Sequence, residues 1–236
     1  MTRLAMICWT LVMLALLVLT SHPGGAEGPV TSAQADLNGD GKKEKISLQI
    51  KEDGPFVLQI AKASVKGRLS YDVEGFQLVD IDKKDKYVEV AVYTPGPSDD
   101  DEYLIYWYDG KAIKEMGHLE RWPTFTGNGV VYVDDWKGFW KSTDKYVLDQ
   151  KTRTLKRVPQ EFYYVGLETT VGASIPIYET RKSSAVVANL QPKSKALILL
   201  YSQDGYYLIK SVTGLVGWVK DEETLYGCFT DLPNAD

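Results

Sequence analysis

The segment Ala35–Ile50, ADLNGDGKKEKISLQI, restricts the fold more than any other part of the chain. Side chains that carry oxygen atoms occupy positions 1, 3, 5 and 9 of its loop: Asp36, Asn38, Asp40 and Glu44. Gly41 stands at position 6, where such a loop turns sharply, and the main-chain carbonyl of Lys42 stands at position 7. Because Ca²⁺ takes about six to eight hard oxygen ligands, this spacing predicts a structural Ca²⁺ site.

A strand, and not a helix, is expected to follow this loop. Position 12, which a Glu fills in a helix–loop–helix calcium site, is Ser47 here. Ile46, Leu48 and Ile50 alternate with polar residues, and this period of two is typical of a half-buried strand. The segment is therefore interpreted as a cation loop that opens a β-strand. The other interpretation is a solvated acidic turn without metal, since Asp, Asn and Gly also favour turns for backbone reasons.

Residues 1–26 have the pattern of a secretory signal peptide. One positive charge, Arg3, precedes an apolar run from Leu4 to Leu19, and Gly24 and Ala26 supply the small residues of a cleavage site. The run is shorter than the ~20 residues that a spanning helix needs. We therefore expect cleavage, no stable membrane span afterwards, and a secreted or envelope-associated protein. Retention of the segment as an anchor is the alternative.

Composition argues against several classes of function. The chain carries 27 Lys and Arg residues against 32 Asp and Glu, a net charge of −5, which does not attract nucleic-acid phosphates. Beyond the signal segment the sequence retains one cysteine, Cys228, and one histidine, His118. Neither an internal disulfide, nor a Cys–His nucleophile, nor a zinc hydrolase site is therefore expected. No catalytic residue is predicted, although a carboxylate pair for sugar hydrolysis is left open among so many acids.

Short apolar-rich runs separated by Gly, Pro and Asp-Gly turns predict an all-β protein. The strongest hairpin signal joins Tyr103–Tyr108 to Lys111–Met116 across Asp109-Gly110. A weaker copy joins Lys145–Leu148 to Arg153–Arg157.

The acidic loop and its strand are repeated loosely further along the chain. A second unit opens at Asp80, where Asp82, Asp85 and Glu89 follow the first pattern with one residue inserted and no glycine. Whether this second loop binds metal is left open. Periods of roughly 40–50 residues with several strands each are typical of propeller blades, and three such units are too few for a closed ring of about four to eight.

The stretch ADLNGDGKKEKISL resembles the acidic loop and following strand of FG-GAP/VCBS-type repeats, which occur in integrin-like propellers and in secreted bacterial proteins. The resemblance implies an open or truncated propeller-like antiparallel β domain over residues 29–159. It also implies a calcium ligand set: Asp36, Asn38, Asp40, Lys42 and Glu44.

Residues 160–227 resemble a bacterial SH3-like domain. The segments that carry the resemblance are Pro176-Ile177-Tyr178, the sequence DGYYLIK from Asp204 to Lys210, and Gly217-Trp218-Val219. The resemblance implies a small β-barrel that binds a cell-wall peptide or a protein ligand, or that serves as a spacer. Four aromatic residues are predicted to form the ligand groove: Tyr178, Tyr206, Tyr207 and Trp218. Residues 228–236 are interpreted as a tail.

These patterns together predict an exported, non-enzymatic envelope protein with a structural calcium loop and a ligand-binding SH3-like module. Two alternatives are kept: a cell-wall hydrolase that uses carboxylates of the N-terminal domain, and a protein that binds a partner without wall contact. Trp122, Trp136 and Trp140 lie close together in sequence. Packing between sheets is favoured for them over a carbohydrate-binding platform.

Overall fold

The structure is a computed structural model that describes residues 30–220 and 222–233, without the side chains of Asp99 and Glu222. The predicted signal segment lies outside these residues. The described chain is almost entirely strand, with one short helix and one 3₁₀ turn, which confirms the prediction of an all-β protein. Within the same residues, no helix is both long enough and apolar enough to cross a membrane.

The first sheet is an antiparallel meander of four strands in chain order. Its strands are β1 (Ser32–Ala35), β2 (Glu44–Ile50), β3 (Pro55–Ile60) and β4 (Ala63–Arg68). The alternation that predicted β2 is present, because Ile46 and Leu48 are buried on the same face as Glu44. Phe56 and Leu58 of β3 add their side chains to the same core.

Two further meanders repeat this arrangement. The second sheet contains β5 (Gly75–Val79), β6 (Glu89–Thr94), β7 (Glu102–Tyr108) and β8 (Ile113–Glu120), with a 3₁₀ turn at Pro97–Asp99. The third contains β9 (Trp122–Phe125), β10 (Val130–Trp136), β11 (Lys141–Asp149) and β12 (Thr154–Arg157). Both predicted hairpins are confirmed, as β7 pairs with β8 and β11 pairs with β12.

The second sheet is covered on both faces. Val92 and Tyr106 lie in one core with residues of the first sheet, whereas Ala91 and Ile105 lie in another core with Val131 of the third sheet. Burial on both faces explains why β6 and β7 read as nearly continuous apolar runs.

Backbone hydrogen bonds also connect each sheet to the next at equivalent places. The N–H of Val88, just before β6, donates to the carbonyl of Leu37 at 3.2 Å. The N–H of Gly129, just before β10, donates to the carbonyl of Ile81 at 2.7 Å. The repeat seen in the sequence is therefore a repeat of contacts as well.

The last sheet has six strands in the order β13-β16-β17-β18-β14-β15. These strands are β13 (Phe162–Thr170), β14 (Ile175–Tyr178), β15 (Val186–Leu190), β16 (Lys195–Ser202), β17 (Tyr206–Ser211) and β18 (Val216–Lys220). Within the described residues, none of the four sheets closes on itself.

The C-terminal residues pack against this last sheet. Helix α1 (Glu222–Cys228) follows β18 and contributes the buried Leu225 to the core. Phe229 then forms a bridge with Val171, and the carboxylate of Asp231 accepts a hydrogen bond from the N–H of Thr170 at 2.7 Å.

The β10–β11 hairpin joins the third and fourth sheets. Its four-residue turn, Lys137–Trp140, is closed by a hydrogen bond from the Lys137 N–H to the Trp140 carbonyl at 2.7 Å. Phe139 and Trp140 are 1% and 4% exposed, and both lie in the core of the C-terminal sheet. Trp140 Nε1 donates to the hydroxyl of Tyr207 at 3.3 Å, so this core is built partly from the preceding sheet.

Candidate functional site

The first acidic loop connects β1 to β2 and is organised around Asp36. Its Oδ1 accepts hydrogen bonds from the N–H groups of Gly39 at 2.8 Å and Asp40 at 3.2 Å, and its Oδ2 accepts from Gly41 at 2.8 Å. Gly41 has a φ of 83°, a left-handed conformation that glycine adopts without strain. Desolvation acts to raise the pKa of Asp36, but the N–H groups of Gly41, Gly39 and Asp40 together lower it. The loop is therefore folded around an ionised carboxylate.

Asn38 and Glu44 lie at the inner side of this loop and are nearly buried, with exposures of 5% and 9%. Glu44 Oε2 accepts from the N–H of Leu37 at 2.9 Å, and Glu44 Oε1 accepts from Asn38 Nδ2 at 3.0 Å. Asn38 Oδ1 in turn accepts from the N–H of Asp40 at 2.9 Å. These bonds fix the positions of the predicted ligands relative to one another.

The donor set of this loop fits a hard divalent cation. Three carboxylates, one amide oxygen and the Lys42 carbonyl are oxygen donors of the kind that Ca²⁺ prefers. Asp36 Oδ1 accepts two of these hydrogen bonds, whereas Asp36 Oδ2 and Asn38 Oδ1 each accept one and keep a second lone pair for a metal. Across the described residues, no three His, Cys, Asp or Glu side chains converge as a metal site by themselves. An ion here would therefore also need Asn38, the Lys42 carbonyl and water.

The second acidic loop connects β5 to β6 and repeats the hydrogen bond that joins Leu37 to Glu44 in the first loop. The N–H of Ile81 donates to Glu89 Oε2 at 3.1 Å, as the N–H of Leu37 donates to Glu44 Oε2. The inserted residue predicted from the sequence lies between these two partners. The two loops therefore share the contact that joins the loop to the strand.

The second loop differs because an arginine lies within it. Arg153, from the β11–β12 turn, is 7% exposed, donates from Nη2 to Glu89 Oε1 at 2.8 Å, and forms an ion pair with Asp85 through Nη1. Its guanidinium lies 4.6 Å from the ring centroid of Tyr87 and 5.4 Å from that of Trp107. A fixed organic cation therefore lies among the acids of this loop.

The arginine does not fully compensate the buried acids. Burial raises the pKa of Glu89 to about 7, although the N–H of Ile81 and the charge of Arg153 act to lower it. Desolvation and the negative charge of Asp85 raise the pKa of Asp80 as well. Asp80 Oδ1 and Arg153 Nε are buried without a hydrogen-bond partner among the described residues.

The turn that supplies Arg153 has a counterpart beside the first loop. Asp109 Oδ1 accepts from the N–H groups of Lys111 and Ala112 at 2.9 and 2.8 Å, and Asp149 Oδ1 accepts from Lys151 and Thr152 at 2.9 and 3.1 Å. A Cβ on Gly110 would stand 3.4 Å from Asn38 Nδ2, whereas Gln150 Nε2 donates to Asp82 Oδ2 at 2.7 Å. The sequence alone did not identify Arg153 or Gln150. No local pattern indicates them, because their partners Glu89 and Asp82 lie 64 and 68 positions away in the sequence.

The predicted ligand residues of the last sheet lie mostly on its outer face. Strand pairing places five apolar side chains in one row across five strands: Tyr164, Leu200, Leu208, Trp218 and Tyr178. Tyr164 is 73% exposed, and the other four are half-buried. Tyr206 lies on the same face, next to this row and paired with Lys220.

An arginine that no sequence pattern indicated is stacked on this face. The guanidinium of Arg181 lies 5.4 Å from the ring centroid of Phe162 and 5.5 Å from that of Trp218. It is held by ion pairs with Glu161 and Asp204, each at 2.9 Å. The pairs fix the guanidinium beside the Trp218 ring.

Tyr207 is separated from the other three predicted ligand residues. It alternates with Tyr206 and Leu208 along β17, so its ring points into the core, where it is 2% exposed. Its centroid lies 5.0 Å from that of Tyr201 and 5.6 Å from that of Phe139. Contact with a ligand on the outer face is therefore open to Tyr178, Tyr206 and Trp218.

Comparison with known proteins identified no relative of this chain. No family model, no curated protein and no solved structure matches the chain. Any function therefore has to be argued from the residues and contacts described above.

Proposed function

We propose that this chain is an exported, non-enzymatic envelope protein that binds a peptide, from the cell wall or from a protein, on the outer face of its C-terminal sheet. The first acidic loop, with Asp36, Asn38, Asp40, the Lys42 carbonyl and Glu44, holds a structural Ca²⁺. Residues 160–227 act as the SH3-like binding module, and the three meanders act as an open, propeller-like support.

The observation that carries this proposal is the apolar row of Tyr164, Leu200, Leu208, Trp218 and Tyr178. A sheet face exposed to water normally carries polar side chains, so a continuous apolar row with a stacked arginine favours an interaction surface. Trp, Tyr and Arg are also the residue types that contribute most to binding energy at interfaces.

The interpretation as a propeller-like domain is supported by the successive four-stranded meanders and by the repeated backbone hydrogen bonds that join them. The interpretation as an SH3-like module is supported by the order of antiparallel strands in the last sheet and by the position of Trp218 on β18.

Co-sedimentation of the purified chain with insoluble cell wall tests the binding role. Trp218→Ala should abolish sedimentation, because it removes the largest side chain of the row and the ring that contacts Arg181. Tyr132→Ala is the matched control, since Tyr132 is an aromatic residue of the third sheet that is 40% exposed. Sedimentation that survives Trp218→Ala would contradict the proposed site.

The same preparation distinguishes the alternatives. Release of soluble sugar or peptide from the wall would indicate a hydrolase and would contradict a binding-only role. A chain that stays in the supernatant but captures a specific protein would indicate partner binding without wall contact.

A further inference from the structure

A cleft of about 280 Å³ lies between the third sheet and the C-terminal sheet, on a different part of the molecule from the outer apolar row. Its walls combine aromatic rings with hydrogen-bonding groups. The residues that matter for its chemistry are Trp140, Asp144, Arg157, Tyr163, Tyr201 and Gln203. Ligand sites occur preferentially at such junctions between structural units.

The aromatic wall of the cleft is continuous. The ring centroid of Trp140 lies 5.4 Å from that of Tyr201 and 6.2 Å from that of Tyr163. Trp140 and Tyr163 are nearly buried, whereas Tyr201 is half-buried and contributes the more accessible ring. The Trp140 ring is inclined by 48° to that of Tyr201 and by 53° to that of Tyr163, so the flat apolar face offered to a bound molecule is that of Tyr201.

The polar side chains of the cleft already form a network of hydrogen bonds. Arg157 donates to both oxygens of Asp144 at 2.9 Å, and the hydroxyl of Tyr163 donates to Asp144 Oδ1 at 2.7 Å. Gln203 Nε2 donates to that same hydroxyl at 3.2 Å. A ligand would meet this network in a fixed arrangement, which reduces the entropy lost on binding.

Some hydrogen-bonding capacity in the cleft is unused. Within the described residues, the hydroxyl of Tyr201 and Oε1 of Gln203 have no hydrogen-bond partner, and neither atom is among the buried unsatisfied ones. The cleft therefore presents a hydroxyl that both donates and accepts and an amide oxygen that accepts.

Charge in the cleft is balanced. Arg157 is paired with Asp144, and Lys137, which also lines the cleft, is paired with Asp135. Among the described residues that line the cleft, no charged group is left without an ion-pair partner to select an anion or a cation. The complementary ligand is therefore neutral, rich in groups that donate and accept, and flat on one face.

We propose that this cleft is a binding site for a neutral saccharide of one or two rings. Sugar hydroxyls match the mixed donors and acceptors, and the C–H face of a pyranose matches the aromatic wall. The volume is near the lower limit of the ~300–1,000 Å³ that is typical of small-molecule sites, which restricts the ligand to this size. The site goes beyond the proposed peptide-binding face and does not depend on it.

Isothermal titration of the full chain with a panel of neutral mono- and disaccharides tests this site. The panel covers the gluco, galacto and manno configurations and the N-acetylated amino sugars. At least one member should bind, and Tyr201→Phe should weaken it about fivefold, as expected for the loss of one hydrogen bond. Since this change keeps the ring and removes a hydroxyl without a partner in the described chain, stability should stay unchanged.

Trp218→Ala separates this proposal from the peptide-binding one. It should leave saccharide affinity unchanged, because Trp218 lies outside the cleft. No binding by any member of the panel, or binding only of acidic sugars, would overturn the saccharide site. Binding that Trp218→Ala removes and Tyr201→Phe leaves intact would also overturn it.

Discussion

Arg153 donates from Nη2 to Oε1 of Glu89 at 2.8 Å, although the two residues are 64 positions apart and belong to different sheets. Glu89 has no exposed surface and Arg153 is 7% exposed. The pair therefore joins the second and third sheets through groups that are almost completely buried. In the second loop the guanidinium of Arg153 lies among the acidic side chains. The equivalent place in the first loop is where Ca²⁺ is predicted to bind.

Removal of the arginine should destabilise the chain strongly. At a pH above the raised pKa of Glu89, Arg153→Met leaves its carboxylate buried and unpaired, and breaking a buried pair in this way typically costs about 3–5 kcal/mol. Urea unfolding should show the loss. The double variant Arg153→Met with Glu89→Gln should recover part of it, because the unpaired charge is then removed.

Lys151→Met is the control for this experiment, since Lys151 is exposed in the same turn. It should change the free energy of unfolding by less than about 0.5 kcal/mol. An Arg153→Met variant as stable as the control would show that the pair contributes nothing to the fold.

Stability should fall as pH rises through the titration of Glu89. Burial raises its pKa from 4.5 to about 7, so the folded state holds this proton more tightly than the unfolded state does. The resulting stabilisation is fully present below pH 4.5 and is lost by about pH 7. Urea unfolding at half-unit steps of pH measures it.

Glu89→Gln should reduce this dependence, because the amide does not titrate, and the raised pKa of Asp80 accounts for the slope that remains. Glu52→Gln is the control, since Glu52 is exposed in the β2–β3 turn. Carboxyls whose pKa is lowered, such as Asp109 and Asp149 at about 2, titrate below this window. An equal slope in the Gln variant and in the parent chain would contradict the assignment to Glu89.

Calcium should stabilise the chain through the first loop. At a free Ca²⁺ concentration of 100 times Kd, binding adds about 2.7 kcal/mol, which corresponds to a rise in Tm of roughly 5–10 °C. Asp40→Ala should abolish this rise, and EDTA should then have no further effect. Scanning calorimetry with Ca²⁺ and with EDTA gives the comparison, and Glu52→Ala is the control.

The amount of bound metal separates the two loops. Because the guanidinium of Arg153 already lies among the acids of the second loop, the chain should bind one Ca²⁺ and Asp40→Ala should bind none, as measured by elemental analysis after dialysis. A second ion that persists in Asp40→Ala would contradict the role given to Arg153. A Tm that EDTA does not change in the parent chain would contradict Ca²⁺ binding by the first loop.

The turn of the β10–β11 hairpin should be essential for the C-terminal core. Phe139→Ala removes a ring that is 1% exposed, and such truncations typically cost about 3–5 kcal/mol. Phe162→Ala, which removes a ring that is 40% exposed, should cost far less. Near-UV circular dichroism during urea unfolding follows both. Equal losses would show that Phe139 is not a core residue.

Most of the strands could be predicted from the sequence, because their signals are local. Alternation predicted β2, and Asp109-Gly110 predicted the β7–β8 hairpin. Such signals are weak in β1, β4 and β9, which lie at the outer edges of their meanders and carry short or weakly apolar sequences. Pairing with a neighbour, and not their own pattern, makes them strands.

The contacts that organise the candidate sites are not local. Arg153 reaches Glu89, and Trp140 donates to Tyr207 across 67 positions. No spacing in the sequence predicts either partner. The hydrogen bond from the Leu37 N–H to Glu44 in the first loop is local by contrast, since the two residues are seven positions apart. Tyr207 shows the same limit, since its place in the core depends on which face of β17 meets Phe139.

The hairpin that carries Phe139 and Trp140 also bears on how such a chain can change during evolution. A recombination that cut the gene after Pro159 would transfer the C-terminal strands without two of the rings that fill their interior. The recipient would gain a set of strands whose hydrophobic core lacks two aromatic rings. Exchange of this unit between proteins therefore requires the preceding hairpin to be inherited together with it.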